Sequence, residues 1–205
     1  MTKTEAETAF AKGAIFLRSV VSIEGLPPAE RAEIALAGRS NVGKSSLLNA
    51  LFDNKTLART SKTPGRTQAL NFFSMGETLY LIDMPGFGYA KQSRKEVKAW
   101  QAFSKLYLAN RPTLKRVFLL IDSRHGFKST DKEMMQTLNA TGLSFQIILT
   151  KTDEPSPAEL QKRLTEMQKE AAKYAACHTE LLPSSAHKKH GLEEIRASIW
   201  QLAER

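Results

Sequence analysis

The chain has 205 residues, 41% of them apolar and 25% charged, and Lys and Arg outnumber Asp and Glu by 30 to 21 for a formal charge of +9. That length suits one domain burying roughly 70% of the surface its unfolded chain exposes, and a lone cysteine, Cys177, excludes an intramolecular disulfide framework and fits a reducing cytoplasm. The excess of positive charge suits a polyanionic partner such as nucleic acid, or equally a chain kept dispersed by its basic surface.

Residues 1–13 read as a polar, weakly ordered start, and 14–205 as a single domain. The apolar stretch AIFLRSVV (14–21) is broken by Arg18 and is far short of the roughly 20 residues that span a bilayer, so neither a signal peptide nor a membrane segment is expected. AEIALAG (32–38) then reads as a buried strand. It runs directly into Gly38-Arg39-Ser40-Asn41-Val42-Gly43-Lys44-Ser45, which fits G-x-x-x-x-G-K-[ST], and on into the helical SSLLNALF. Phosphate binding needs those residue types: glycines let the backbone curl round the anion, amides at a helix start point at it, the lysine reaches the β- and γ-phosphates, and a hydroxyl meets Mg²⁺.

Residues 53–69 are polar, rich in threonine and broken by Pro64 and Gly65, a long connection of the kind that is functional or mobile. A nucleotide switch built on such a phosphate loop needs a threonine that meets Mg²⁺ and the γ-phosphate only in the triphosphate state. Thr56, Thr60, Thr63 and Thr67 are all available, and spacing does not select among them.

ALNFFSM (69–75) and TLYLIDM (78–84) follow as strands two residues apart, which is hairpin spacing and makes one of them antiparallel. Asp83 ends the second strand and opens DMPGFG, where the aspartate can hold the Mg²⁺ shell and the Gly86 amide can sense a γ-phosphate. The position after D-x-x-G is Phe87 where many GTPases have a glutamine to orient water, so slow intrinsic hydrolysis is expected. Asn41 is a candidate for holding K⁺ near the phosphates, and can equally serve the loop's own backbone. Residues 88–100, GYAKQSRKEVKAW, gather Lys91, Arg94, Lys95 and Lys98 beside Tyr89 and Trp100. With Arg59, Lys62 and Arg66 they make a candidate RNA face, against the simpler reading of a solvated helix with Trp100 in the core.

RVFLLID (116–122) and FQIILT (145–150) continue the strands. DSRHG (122–126) groups an acid, a histidine and a serine without the geometry of a triad and is given a structural role. Thr150-Lys151-Thr152-Asp153 ends the next strand: the Asp153 carboxylate can accept from N1 and N2 of guanine, which adenine does not offer, and the Lys151 stem can cover the ring. Thr150 stands where N-K-x-D elements have asparagine. Ser156, Pro157 and Glu159 cap a helix expected to reach about Cys177. TELLPSS (179–185) is a final strand whose Pro183, Ser184 and Ser185 can offer amides to the guanine oxygen. HKKH (187–190) reads as a solvated basic loop, and Leu192, Ile195, Ile199 and Leu202 form one apolar helix face, with Trp200 extending it. Six strands alternating with helices predict a mostly parallel α/β sheet with one antiparallel edge strand and helices on both faces.

GRSNVGKSSLLNAL, TPGRTQALNFF, DMPGFGYA, TKTD and SSAHKKHG stand together in the order of the bacterial EngB (YihA/YsxC) GTPases, of the TrmE-Era-EngA-YihA-Septin-like group, and the chain resembles that family from about residue 10 to 202. The resemblance implies a Ras-like P-loop G domain that binds GTP and GDP. It implies that Thr67 joins Ser45 around Mg²⁺, and that Gly65, Arg66, Gln68 and Ala69 adjoin the nucleotide, as do Met84 and Pro85 beside Asp83. It also implies a cytoplasmic factor, expected as a monomer, in assembly of the large ribosomal subunit, with an association with cell division and septation. Thr150 agrees with that family, and Pro183 departs from it slightly.

Overall fold

The computed structural model describes residues 3–58, 69–87 and 94–203, with the backbone alone for 94–98. In chain order its elements are α1 (Lys3–Ala11), β1 (Ile15–Val20), β2 (Ala32–Gly38), α2 (Lys44–Leu51), β3 (Leu70–Met75), β4 (Leu79–Asp83), α3 (Arg94–Asn110), β5 (Leu114–Asp122), α4 (Ser129–Thr141), β6 (Phe145–Thr150), α5 (Pro157–Ala171), β7 (Leu182–Pro183) and α6 (Leu192–Trp200).

One sheet of order β1-β3-β4-β2-β5-β6-β7 carries the fold. Alternation along β2 sets the layers. Ile34 and Leu36 pack with Phe10 of α1, Leu47, Leu48 and Leu51 of α2, and Ile195 and Ile199 of α6, while Ala35 and Ala37 face Phe103 and Tyr107 of α3, Met135 and Leu138 of α4 and Met167 of α5. A strand buried on both faces needs helices on both. The α/β class expected from the alternation of elements is the observed one.

Two details of the expected sheet change. It has seven strands rather than six, because residues 15–20 pair antiparallel with β3, and the reversed strand β3 therefore lies one position in from the edge, antiparallel to both β1 and β4. The reason β1 escapes a reading by pattern is that five of its six residues are exposed, so no period-two alternation marks an inward face. Its pairing also shifts between Phe16 and Arg18. The N-terminal segment is likewise helical over α1 rather than weakly ordered: Ala6 and Phe10 are buried, and the Phe10 ring stacks on Phe52 at 4.9 Å. Two apolar anchors in nine residues are too few to show as a periodic face. The helix capped by Ser156 ends at Ala171, six residues short of Cys177, because the chain turns there to bring Cys177 beside Phe145. Leu202, expected on the last helix, is buried just beyond the end of α6.

Parallel pairing of β4, β2, β5, β6 and β7 puts the C-terminal ends of all five strands on one edge of the sheet. Gly38, Asp83, Asp122, Thr150 and Pro183 all end strands there, which is where open α/β sheets bind ligands.

Candidate nucleotide-binding site

The phosphate loop leaves β2 at Gly38 and re-enters regular structure at Lys44. Gly43 is the residue before α2 and has φ 108°, left-handed backbone that a side chain would strain. The first amides of α2 have no carbonyl one turn earlier to bond, and they open toward the loop as a ready anion cradle. Ser45 stands in that first turn. Lys44 Nζ donates to the Gly38 carbonyl at 3.3 Å, so the ammonium lies across the loop. Burial pulls the Lys44 pKa below its ordinary value, against the favourable pull of Asp83.

Asp83 shows the opposite stress. Burial raises its pKa to about 6, only partly relieved by Lys44. Its Oδ1 is buried and has no hydrogen-bond partner among the described residues. A buried carboxylate oxygen left in that condition calls for a cation or a donor.

From Asp83 the chain continues alongside the loop. Met84 N–H donates to Leu36 O at 3.0 Å, Phe87 N–H to Gly38 O at 3.3 Å, and Ser40 N–H to Phe87 O at 3.3 Å. Pro85 and Gly86 lie between these bonds. At Gly86 a Cβ would stand 2.8 Å from both the N and the Cα of Ser40, so only glycine lets the two backbones pass at this distance. Phe87 has its backbone tied to the phosphate loop while its ring is partly buried against the α3 and α4 side of the core.

The base side is joined to the phosphate side by side chains. Thr150 Oγ1 donates to Val42 O at 2.7 Å, so the hydroxyl that replaces the usual asparagine amide braces the loop. Lys151, in left-handed backbone at φ 59°, donates through Nζ to Asn41 O at 3.0 Å and to Asp122 Oδ2 at 2.9 Å. Asn41 is itself left-handed, at φ 63°. Burial alone would raise the Asp122 pKa, but hydrogen bonds from Arg124 and Lys151 hold it well below the usual carboxylate range. Asp122 of the DSRHG stretch thus keeps the structural role expected of it, aligning the lysine.

Asp153 is held below its ordinary pKa chiefly by Ser185, with His187 adding to the effect. His187 Nδ1 lies 3.5 Å from Asp153 Oδ2, a contact that the reading of HKKH as a merely solvated loop missed. Thr152 N–H donates to Ser184 O at 3.1 Å, and Ser184 N–H to Leu149 O at 2.7 Å. Pro183 and Ser184 thereby sit beside the TKTD turn, and the Ser185 hydroxyl accepts from Lys188 N–H at 2.9 Å.

Several expected residues do not join this cluster. Arg39 sends its Nε to Asp131 of α4 at 3.1 Å, so its side chain points away from the loop it belongs to. Thr56 Oγ1 donates to Asn54 Oδ1 at 3.0 Å, a local turn bond. Gly65, Arg66, Thr67 and Gln68 lie outside the described residues, as do Arg59, Thr60, Lys62, Thr63, Tyr89, Lys91 and the side chains of Arg94, Lys95 and Lys98; the candidate RNA face falls there. Ala69 is described and buried at the start of β3. Trp100 is partly buried, edge-on to Phe103 at 5.7 Å, as the simpler reading had it.

Asn49 is a residue that sequence reasoning passed over. Buried on α2, it donates from Nδ2 to Lys55 O at 3.1 Å and to Ala58 O at 3.0 Å, and accepts from Ala58 N–H at 2.7 Å. It clamps residues 55–58 to the helix that carries Lys44. Its one signal is being the sole amide in the apolar run LLNALF.

A glycine-closed loop braced against the TKTD turn, on this sheet order, is the arrangement of a P-loop GTPase. A family model described as 50S ribosome-binding GTPase matches residues 33–151. The chain is 48% identical over 193 residues to a probable GTP-binding protein EngB of Ruegeria pomeroyi, covering 94% of this chain and 89% of that one. It is also 48% identical over 204 residues to the probable EngB of Brucella melitensis, covering 95% and 85%. The chain belongs to the EngB family of GTP-binding proteins. Among solved structures, a probable GTP-binding protein engB matches with TM-score 0.65 and 24% identity over 85% of this chain and 100% of that one. Era in complex with MgGDPNP and nucleotides 1506–1542 of 16S ribosomal RNA matches with TM-score 0.65 and 24% identity over 83% of this chain and 56% of that one. Both speak to the fold. No helix among the described residues is long and apolar enough to cross a membrane.

Proposed function

We propose that the chain is a Mg²⁺-dependent GTP switch that docks on the large ribosomal subunit or its precursor, in the cytoplasm and as a monomer, and that its role in division and septation follows from that. The observation that carries the switch is the close approach of Gly86 to Ser40, backbone against backbone, three residues after an Asp83 whose buried oxygen has no partner among the described residues. Anything that moves the phosphate loop or draws on Asp83 must move the segment after it.

The donor set suits a hard divalent cation: an ionisable carboxylate oxygen at Asp83 without a partner among the described residues, and the Ser45 hydroxyl in the first turn of α2. Asp83 would hold Mg²⁺ through its hydration shell, and Ser45 and Thr67 would bind it directly. When bound, Mg²⁺ neutralises charge on the β- and γ-phosphate oxygens.

Around it, the Gly38–Ser45 loop amides and Lys44 hold the phosphates, and the Gly86 amide senses the γ-phosphate. Asp153, kept ionised by Ser185 and His187, accepts from guanine N1 and N2. Lys151, held straight by Asp122 and Asn41 O, covers the base, while Thr152, Pro183, Ser184 and Ser185 supply the adjoining backbone. Gly65, Arg66, Thr67, Gln68 and Ala69 close over the nucleotide from the other side. Phe87 has no group to orient water, so hydrolysis is slow until K⁺ at Asn41 or a partner assists. Faster turnover in K⁺ than in Na⁺ supports the Asn41 role, and equal turnover removes it.

The family model's description as a 50S ribosome-binding GTPase and the formal charge of +9 support the ribosomal partner. Co-sedimentation with isolated large subunits, comparing a non-hydrolysable GTP analogue, GDP and an ATP analogue across a salt series, tests it. Binding confined to the GTP analogue and weakened by salt is expected. Absence of binding in every state rejects the mature subunit as partner.

A further inference from the structure

The two edges of the sheet are finished differently. β7 is two residues long and ends in Pro183, which blunts it as a pairing template. β1 is six residues long, has no proline, and closes the other end of the strand order with no strand on its outer side among the described residues. Five of its six residues are exposed, Val20 being the buried one: Ile15 is 76% exposed, Phe16 50% and Leu17 41%, and Val21 and Ile23 beyond it 58% and 43%. These are five of the six exposed large apolar side chains among the described residues, the sixth being Leu106 on α3. Scattered apolar residues need no explanation, but a cluster along a free strand edge does.

The edge itself restricts what can cover it. Outward N–H and C=O groups at strand spacing are matched only by another extended backbone. Charge narrows the choice further. Arg18 is the only charged residue of β1. In the register with β3, Arg18 stands opposite Phe72 and Ile15 opposite Ser74, two residues apart and so on one face, and Ser74 Oγ accepts from Arg31 Nη1 at 3.2 Å. Arg18 thus stands on the edge itself, and Arg31, 5.0 Å from the Tyr80 ring of β4, adds positive charge further in on the same face. A second copy of the chain would bring another +9 and its own Arg18 to this edge, and nucleic acid has no strand to add.

We propose that β1 is a docking edge for an acidic, extended segment of a partner protein, which joins the sheet as an eighth strand with its carboxylates on the face of Arg18 and its apolar residues on the opposite face, beside the half-exposed Phe16 that stands across from Phe73. This surface is separate from the nucleotide site and does not depend on what that site binds.

The test uses the whole chain with two short synthetic peptides, one alternating valine and glutamate and one alternating valine and lysine. Backbone amide exchange is read by residue, and sedimentation velocity is run on the protein alone. The glutamate peptide is expected to slow exchange across 15–20 about tenfold at saturation, the lysine peptide to have no effect, and Arg18→Glu, an exposed change that leaves the fold alone, to reverse the preference. Protection by neither peptide, or by both equally, overturns the proposal. So does a dimer of the unmodified chain that Leu17→Lys dissociates, because that assigns the edge to a second copy.

Discussion

Glu33 and Asp83 are carboxylates on the neighbouring strands β2 and β4, three residues of register apart, and their charges meet opposite treatment. Glu33 is wholly buried and fully answered: it accepts from Tyr107 Oη at 2.7 Å, Arg111 Nε at 2.7 Å and Thr113 Oγ1 at 2.9 Å, while Arg111 also reaches the Pro27 carbonyl at 2.7 Å. Burial and the Glu33 charge together push the Tyr107 pKa well above its ordinary value, so the phenol stays a donor. Asp83 has one buried oxygen with no partner among the described residues and a pKa raised to about 6. A group satisfied from within holds the fold together, whereas one left short is available to a ligand. The first lies at the end of the sheet where β2 begins, the second at the end where the loops gather.

The contrast is broken most directly by removing each acid in turn. Glu33→Ala strands Arg111 and Tyr107, and we expect a loss of about 3–5 kcal/mol in urea denaturation, the range for breaking a buried ion pair from one side. Asp83→Asn should act the other way in the absence of nucleotide and metal. Because the folded pKa of Asp83 is raised above its unfolded value, the folded chain binds the proton more tightly, so this group's contribution to stability is full below about pH 4 and falls as pH rises to about 6. Asp83→Asn should therefore match the parent near pH 4 and exceed it by up to about 3 kcal/mol above pH 7. On the proposed reading the same variant weakens binding of Mg²⁺ and GTP. Denaturation in a chelator from pH 4 to 8, with nucleotide affinity measured in parallel, checks both; a variant with no stability gain at high pH would mean that Asp83 is not strained.

Much of this is legible because backbone geometry alone places the motif residues. Gly38, Lys44, Asp83 and Thr150 end strands or begin helices, and spacing is enough to place such residues. The bracing was not legible. That Arg39 turns to Asp131, that His187 meets Asp153, or that Asn49 holds Ala58 depends on which loops converge in three dimensions. β1 was hidden for a related reason: a strand exposed on both faces carries no inward pattern, so only its partner β3 reveals it.

A smaller effect sharpens the comparison at the site end. Gly86→Ala places a methyl 2.8 Å from two backbone atoms of Ser40, neither of which can yield by rotating a side chain. Overpacking of this kind costs about 1–3 kcal/mol, and since the strain falls on the phosphate loop, nucleotide affinity should drop with stability. If affinity holds while stability falls, the loop moves independently of the Gly86 segment and the relay we propose is wrong.

Thr150→Val gives the smallest effect and separates bracing from binding. Valine keeps the shape but removes the hydroxyl that donates to Val42 O at 2.7 Å, leaving that carbonyl without this donor in a buried setting. A single neutral hydrogen bond is worth about 1 kcal/mol, somewhat more when its acceptor stays buried. We expect that loss in chain stability, with GTP and GDP weakened alike, because the hydroxyl is already engaged with the loop and is not aimed at a base. A change that fell on guanine selectivity alone would instead make Thr150 a reader of the nucleotide, doing the work of the asparagine it replaces.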